Sequence, residues 1–593
     1  MSAAGIKCQL WRSLAATVGV LCAWAVSGTA QNRGEDPETV FRRGMTALHN
    51  FEYEDANEAF ALVRQRDPSF ALAYWGEAMT YHQTLWRREN PDAARQVLAR
   101  LGPTPEARLA KANTARDRGL LGAIDVLFGA GDPAARRQNY AAAMGRLYKT
   151  FPDDDDIGAL YGLALMGTAS RGLIGASEGP EGFGRALAGS AIQKEAAEIF
   201  TGVLSRDSHH AGALHYLLHD YDDPDHARLA FDAARTYARV ANGASHALHM
   251  PAHIFLQLGL WHDASDSDRA AFDASTAWVA RKQLPQTLRN YHALSWLQYE
   301  LLQLGRFKDA QASIGEIEPV VRAGAAAQAG HDGTHQPLTS DLASMRARYA
   351  IETRQWNLMA SATQFGNVND LFAIGISAAR TGNIRAAQLA QQTLAQRADA
   401  PKEGDLRPAI RIMEREMAAL LELAGGRTAN AIEILETATR AELALPAPLG
   451  LPAPIKPAPE LLGEVLLDAG RPVEAGPHFE SALKLHANRS LSVLGRARAA
   501  ARSGDTATAR QRYQELLANY DHADPDIPEV AEARAAISPA AAPAPARNFS
   551  PWIAGGVVVS ALAIWWGTKR PKGSRRSSGS RKVATKSRRR KEN

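Results

Sequence analysis

A glycine recurs at the turn between two helical segments, and this recurrence constrains the fold more than any other feature of the sequence. Gly470 and Gly504 are 34 residues apart, and each separates two stretches in which small and apolar residues recur at three- and four-residue steps. Such steps place side chains on one face of an α-helix. A fixed period between the turns indicates that helical hairpins are stacked on one another. The sequence therefore predicts an all-α fold built of repeated hairpins.

The same pattern extends along most of the chain. Further glycine turns are predicted at Gly259, Gly305, Gly382 and Gly426. A chain of 593 residues is long for one compact core, so an extended array of hairpins agrees with its length. Pro446–Pro459 contains six prolines, and we expect it to interrupt the array as a strap across one face.

The first hairpin resembles a tetratricopeptide repeat (TPR). Its order of Gly44, Tyr53, Ala56, Phe60 and Pro68 is similar to that of the family, in which small residues lie where helices cross and proline ends the second helix. The resemblance implies an α-solenoid with a concave groove that is lined by the first helix of each hairpin. It also implies a scaffold that binds a peptide or protein partner in that groove.

Two histidine segments resemble those of a group of secreted bacterial TPR proteins that carry HYxxH and HMPxH. Here they read HYLLH at 215–219 and HMPAH at 249–253. This second resemblance implies an extracytoplasmic location and no particular activity.

The N-terminal residues, 1–30, have the features of a secretory signal peptide. Lys7 and Arg12 precede an apolar stretch that ends in small residues. The alternative is an uncleaved N-terminal anchor. Both cysteines, Cys8 and Cys22, lie in this segment, so the body needs no disulfide bond.

A second membrane segment is predicted at residues 551–568, an apolar run with tryptophan near both edges. A proline- and alanine-rich linker, 535–550, precedes it, and a basic tail, 569–593, follows. The positive-inside rule predicts a single-pass inner-membrane protein with a cytoplasmic tail and a periplasmic body, 31–534. The alternative is a buried helix of a soluble protein.

The basic charge of the chain is confined to this tail. From Thr568 onward, 12 lysines and arginines are accompanied by one acidic residue, which gives a net charge of +11, whereas the whole chain carries +5. The body is therefore acidic, and we expect no nucleic-acid partner.

Ten of the 17 histidines lie between residues 209 and 292. His246, His249 and His253 fall within an arc of roughly 60° on one helix face. In the register that the TPR resemblance implies, these three and His292 line the groove. His215 and His219 are neighbours four residues apart on the preceding hairpin.

Clustered imidazoles on adjacent helices are typical ligands of Zn²⁺, Cu²⁺, Fe²⁺ or Ni²⁺. Asp220 or Asp222 can add a carboxylate ligand, and Asp263, Asp266 or Asp268 can accept a hydrogen bond from the second ring nitrogen. We expect Zn, Cu or Fe, and the predicted ligands are His215, His219, His246, His249, His253 and His292.

Two alternatives accompany this prediction. The histidines can instead form a polar groove that hydrogen-bonds a ligand. Pro251 can bend a continuous helix, or the helix can begin there, because proline is well tolerated in a first helical turn.

No catalytic residue is predicted. The glutamate of an HExxH motif is absent, which argues against a zincin-type protease, and we find no Ser-His-Asp signature or phosphate loop. The favoured function is a membrane-anchored extracytoplasmic scaffold for a peptide or protein. The alternatives are a metal-dependent hydrolase or oxygenase, and metal handling without catalysis.

Overall fold

A computed structural model describes residues 34–169, 189–241, 243–324, 337–446 and 450–538. The predicted signal peptide, membrane helix and basic tail lie outside the described residues. So does nearly all of the linker.

The described part of the chain forms 25 α-helices and one two-stranded ribbon. The helices of its first half are α1 Pro37–His49, α2 Tyr53–Arg66, α3 Ala71–Met79, α4 Pro91–Leu101, α5 Pro105–Leu109, α6 Ala115–Leu127, α7 Pro133–Thr150, α8 Asp155–Met166, α9 Ala191–Arg206, α10 Ala211–Asp220, α11 Phe231–Val240, α12 Ser245–Gln257 and α13 Trp261–Lys282. Those of the second half are α14 Tyr291–Gln303, α15 Phe307–Arg322, α16 Leu338–Thr353, α17 Val368–Arg380, α18 Ile384–Asp399, α19 Arg407–Ala424, α20 Thr428–Leu443, α21 Ala458–Asp468, α22 Pro472–Leu485, α23 Ser490–Ser503, α24 Thr506–Asn519 and α25 Pro528–Ile537.

The ribbon was not predicted. Its strands, β1 (His82–Gln83) and β2 (Arg88–Glu89), pair antiparallel between α3 and α4. At the other end of the body, α25 continues to Ile537 and so extends into the predicted linker. Within the described residues, no helix is both long enough and apolar enough to cross a membrane.

Short turns at glycines in the left-handed conformation join the helix pairs, as the sequence predicts. Gly259, Gly305, Gly470 and Gly504 have φ angles of 68°, 67°, 74° and 85°. A residue with a Cβ atom is strained at these angles, so glycine allows each helix to end and the next to begin two residues later.

Glycines also set how closely the helices pack. A Cβ at Gly44 would come within 2.7 Å of the Phe60 ring, and one at Gly76 within 2.6 Å. The helices α1 and α3 can therefore pack this closely against Phe60 of α2 only because these two positions carry no side chain. Gly495 and Phe479 repeat this contact near the other end, where a Cβ would lie 2.1 Å from the ring. The recurrence confirms a TPR-like helical-repeat fold.

The array closes upon itself. The Trp261 indole N–H donates to the Asn488 carbonyl at 2.9 Å, and the Asn488 amide donates to the Gly259 carbonyl at 2.9 Å. The Asp524 backbone N–H donates to the Gly305 carbonyl at 3.0 Å. The α12–α15 region therefore packs against α22–α25, and residues that would line an open groove become enclosed.

Candidate metal centre

The six predicted histidines form two triads rather than one site. His215, His219 and His246 have ligand nitrogens within 4.8 Å of one another, and so have His249, His253 and His292. We call the first set the aromatic triad and the second the carboxylate triad, after their surroundings. The sequence analysis did not divide the six histidines between two sites.

Helix α12 contributes to both triads. It runs without interruption through Pro251, as the first of the two alternatives predicts. His246 lies one turn before His249 and reaches α10, whereas His249 and His253 reach His292 on α14. One face of α12 thus contributes to two sites, because α10 and α14 contact different turns of this helix.

The carboxylate triad has two histidines that are oriented by carboxylates. His249 Nδ1 is hydrogen-bonded to Asp268 Oδ1, and His253 Nδ1 lies 2.8 Å from Asp222 Oδ2. The Nε2 atoms of His249 and His253 are then 3.0 Å apart. Because both Nδ1 atoms face carboxyl oxygens, a proton or a cation has to lie between the two Nε2 atoms.

A bound metal fits this distance. Two nitrogens at about 2.0–2.1 Å from one tetrahedral Zn²⁺ lie roughly 3.3 Å apart. Histidines that ligate metals usually donate their other N–H to a carboxylate or carbonyl, which fixes the ring and strengthens the ligand. Asp268 has the role that the sequence predicts, whereas Asp263 and Asp266 are exposed. Asp222 orients a histidine, although it was predicted as a ligand.

The surroundings of this triad are buried and acidic. Burial raises the pKa of both Asp268 and Glu300 well above the ordinary value, and repulsion from Asp268 raises that of Glu300 further. Both carboxyl groups therefore hold a proton more tightly than exposed ones do. Trp296 covers the site, with its ring centroid 4.4 Å from that of His253 and 5.1 Å from that of His249.

The aromatic triad is enclosed by rings. His219 Nε2 lies 3.1 Å from His215 Nε2 and 3.4 Å from His246 Nε2. His215 Nδ1 donates to the His49 carbonyl at 2.6 Å, which satisfies an oxygen at the C-terminal end of α1. Phe51 packs against all three imidazoles, with centroid distances of 4.4, 5.8 and 5.7 Å.

Burial holds these three imidazoles in the neutral form. It lowers the pKa of His215 to about 3 and the pKa values of His219 and His246 well below the ordinary value, and repulsion between the rings lowers the latter two further. Neutral imidazole is the form that binds metal ions.

A third group of possible ligands, His49, Asp156 and His210, was missed by the sequence analysis. We call it the capping cluster, because His210 Nδ1 accepts the Ala213 N–H and so caps α10. Nε2 of His210 therefore carries the proton and lies 3.4 Å from Asp156 Oδ1. His49 donates to the same carboxylate at 3.0 Å and accepts from the Tyr216 hydroxyl at 3.0 Å.

Every ring nitrogen of the capping cluster has a complementary partner. Although burial alone would raise the pKa of Asp156, hydrogen bonds from His210 and His49 hold it well below its ordinary value. The cluster is therefore a complete hydrogen-bond network around one carboxylate, and it needs no metal. The three residues are far apart in sequence, so no spacing could have revealed the cluster.

The expectation of histidines in an open groove is also wrong. His246, His249 and His253 are 4%, 1% and 3% exposed, and only His292 of the carboxylate triad is partly exposed. The physical reason is the cover that Phe51 and Trp296 provide. Trp75, Met79 and Tyr299 are buried packing residues.

Comparison with known proteins adds little beyond the fold. No family profile and no curated protein matches the chain. The crystal structure of yeast Tom70 is similar over 81% of this chain and 91% of that chain, at 12% identity and a TM-score of 0.26. The P58(IPK) TPR domain is similar over 85% and 98%, at 13% identity and a TM-score of 0.20. These scores support no inference about function.

Proposed function

We propose that this protein is a membrane-anchored, extracytoplasmic TPR-like scaffold that holds a divalent transition metal, Zn²⁺, Cu²⁺ or Fe²⁺, in the carboxylate triad. One observation carries the metal assignment. The Nε2 atoms of His249 and His253 are 3.0 Å apart while both Nδ1 atoms face carboxyl groups. A proton satisfies these two nitrogens, but a metal also uses His292, which belongs to the same set of ligand atoms.

Charge favours a dication at this position. Asp222 and Asp268 face the outer nitrogens of the ligands, and Glu300 lies behind Asp268. A buried cation is costly unless opposite charge compensates it.

The test is the metal content of the full chain, purified in detergent with a tag that contains no histidine. After treatment with a chelator, reconstitution and gel filtration, we expect at least one equivalent of Zn²⁺ per chain by mass spectrometry. A metal content well below one equivalent in folded protein would contradict the proposal. A proton between the Nε2 atoms of His249 and His253 would then explain their short separation.

The second candidate is a metal-dependent hydrolase or oxygenase. The carboxylate triad offers three ligand atoms from the described residues. Three protein ligands with water in a further position are typical of catalytic zinc sites. A test is hydrolysis of an activated ester, such as p-nitrophenyl acetate, by the reconstituted protein. Activity that does not follow metal occupancy would count against the hydrolase.

The scaffold part of the proposal rests on the helical-repeat architecture, since stacked hairpins present extended surfaces for partners. The buried histidines cannot contact such a partner directly. We therefore propose that a peptide or protein binds elsewhere on the body and that the metal centre stabilises the enclosed region.

The membrane topology rests on sequence features outside the described residues. A reporter fused after Asn593 is expected to be active only in the cytoplasm, and one fused after Ile537 only outside it. The reverse pattern would refute the topology. Loss of the tail from the mature protein would instead indicate a sorting signal that is removed after export.

A further inference from the structure

The aromatic triad cannot be satisfied by protons alone. His215 donates through Nδ1 to the His49 carbonyl, so its Nε2 is an acceptor. A proton on His219 Nε2 can point to His215 or to His246, but not to both. His246 Nδ1 is buried and has no hydrogen-bond partner among the described residues. The Nε2 atoms of His215, His219 and His246 converge, and one proton on His219 cannot give both of the others a hydrogen bond.

The residue that covers the triad lies in a strained turn between α1 and α2. Phe51 has a φ of 61°, a left-handed conformation that a bulky residue rarely adopts. Its ring contacts all three imidazoles and is buried. Strain of this kind persists where surrounding structure requires it, and it commonly accompanies functional sites.

The aromatic triad lacks the negative charge of the carboxylate triad. In the described part of the chain, no carboxylate hydrogen-bonds to its three rings, and the second nitrogen of His215 faces a backbone carbonyl. Other close neighbours are aromatic: Trp86 lies 5.2 Å from His246, and Tyr237 lies 5.3 Å from His215, centroid to centroid. The cost of placing an ion in such a medium rises with the square of its charge. The free-energy cost of desolvation is therefore about four times larger for a dication than for a monocation of equal size.

From this geometry we propose that the aromatic triad is a second metal site, selective for copper(I). Imidazole nitrogen suits copper, and a neutral set of three nitrogens in a ring-lined cavity fits a monovalent ion best. Aromatic rings also attract a cation, which adds to the preference. The proposal goes beyond the metal assigned to the carboxylate triad, because the two sites use different histidines.

The experiment uses the full chain preloaded with Zn²⁺ in anaerobic buffer. Ag⁺ serves as a probe that has the same charge as copper(I) and does not change oxidation state, and copper(I) is titrated in competition with a chromophoric chelator. One additional equivalent of Ag⁺ and of copper(I) is expected without release of Zn²⁺. X-ray absorption of the copper(I) protein should show three nitrogen ligands. A sulfur ligand, or no uptake of either ion, would overturn the proposal.

Two matched variants separate the sites. His219→Ala should weaken binding of Ag⁺ at least 100-fold and keep the Zn²⁺ equivalent, whereas His253→Ala should lose Zn²⁺ and keep Ag⁺. His246→Gln, which retains more of the side-chain volume, replaces His219→Ala if circular dichroism shows loss of the fold. Two equivalents of Zn²⁺ bound with similar affinity would refute the selectivity. If the unmutated protein binds Ag⁺ and copper(I) but no Zn²⁺, the proposed function is contradicted and the copper(I) site stands.

Discussion

The carboxylate triad and the capping cluster both bring buried histidines together with aspartate, yet they differ in where the ring protons lie. In the capping cluster, His210 Nδ1 accepts from a backbone N–H and His49 Nδ1 accepts from Tyr216, so both Nε2–H groups point at Asp156. In the carboxylate triad, the outer nitrogens of His249 and His253 face carboxyl groups, and the inner nitrogens face each other. Proximity of ligand atoms alone therefore does not identify a metal site. The hydrogen bond made by the outer nitrogen of each imidazole determines whether the inner nitrogen is an acceptor that can bind a metal.

The largest expected difference between the two clusters is in metal content. His249→Ala combined with His253→Ala removes two of three ligands, so the bound metal should be lost. The packing residues of the hairpins are unchanged, and the helical signal in circular dichroism should persist. His210→Ala is the matched control and should retain full metal content by mass spectrometry. If the double variant and the unmutated protein contain the same amount of metal, the carboxylate triad is not the metal site, and it does not differ from the capping cluster in this respect.

A smaller effect is expected from Asp268→Asn. An amide keeps the shape of the side chain but removes the negative charge behind His249, so metal affinity should fall about 10- to 100-fold. Asp266→Asn on the same helix is the control, because Asp266 is exposed. Competition with a zinc-binding dye measures both. Equal affinities in the two variants would show that Asp268 does not support the ligand.

The pH dependence of stability should report the neutral histidines. Burial lowers the folded-state pKa of His215 to about 3 and of His219 and His246 well below 6.5, so below about pH 6.5 the unfolded chain binds more protons than the folded one. The free energy of unfolding of the metal-free protein should therefore decrease as pH falls. Each such histidine contributes up to about 1.4 kcal/mol per pH unit.

Denaturant titrations at pH 7.5, 6.5 and 5.5 measure this effect. In the capping cluster, His49 should behave in the same way, because burial lowers its pKa as well. Asp156 should behave differently, because its lowered pKa keeps its stabilising charge through this range, and that stability is lost only as pH falls below about 4. A free energy of unfolding that is constant between pH 7.5 and 5.5 would contradict neutral burial of the aromatic triad.

The smallest expected effect tests the structural role of the capping cluster. His210→Ala removes the cap of α10, so the free energy of unfolding should fall by about 1 kcal/mol. His210→Asn should restore much of this loss, because asparagine is a good N-cap residue. His209→Ala is a control at an exposed neighbouring position. A cost for His210→Ala no larger than for His209→Ala would show that the cap is unimportant.

The sequence predicted the features that depend on local periodicity. The turns at Gly259, Gly305, Gly470 and Gly504 and the all-helical hairpins follow from steps of three and four residues and from the conformational freedom of glycine. The continuous helix through Pro251 was one of two alternatives that the sequence left open. All six predicted histidines lie in candidate metal clusters, since i,i+4 spacing places imidazoles together wherever a helix forms.

The rest depends on contacts between distant segments. The carbonyl of His49 orients His215, and Asp156 joins His49 to His210, over separations of more than 100 residues in the chain. No pattern within a window of one hairpin reports such contacts. Assignment of His246 to the aromatic triad depended on which turn of α12 meets α10, which differs between the two sites by one helical turn.

The contact of Asn488 with Gly259 and Trp261 joins segments more than 220 residues apart. In kinetic terms, hairpins of an array form from local contacts, whereas contacts of such high sequence separation are slow to form. Docking of α22–α24 against the Gly259 turn and α13 is therefore expected to be a late step of folding, after the hairpins themselves have formed.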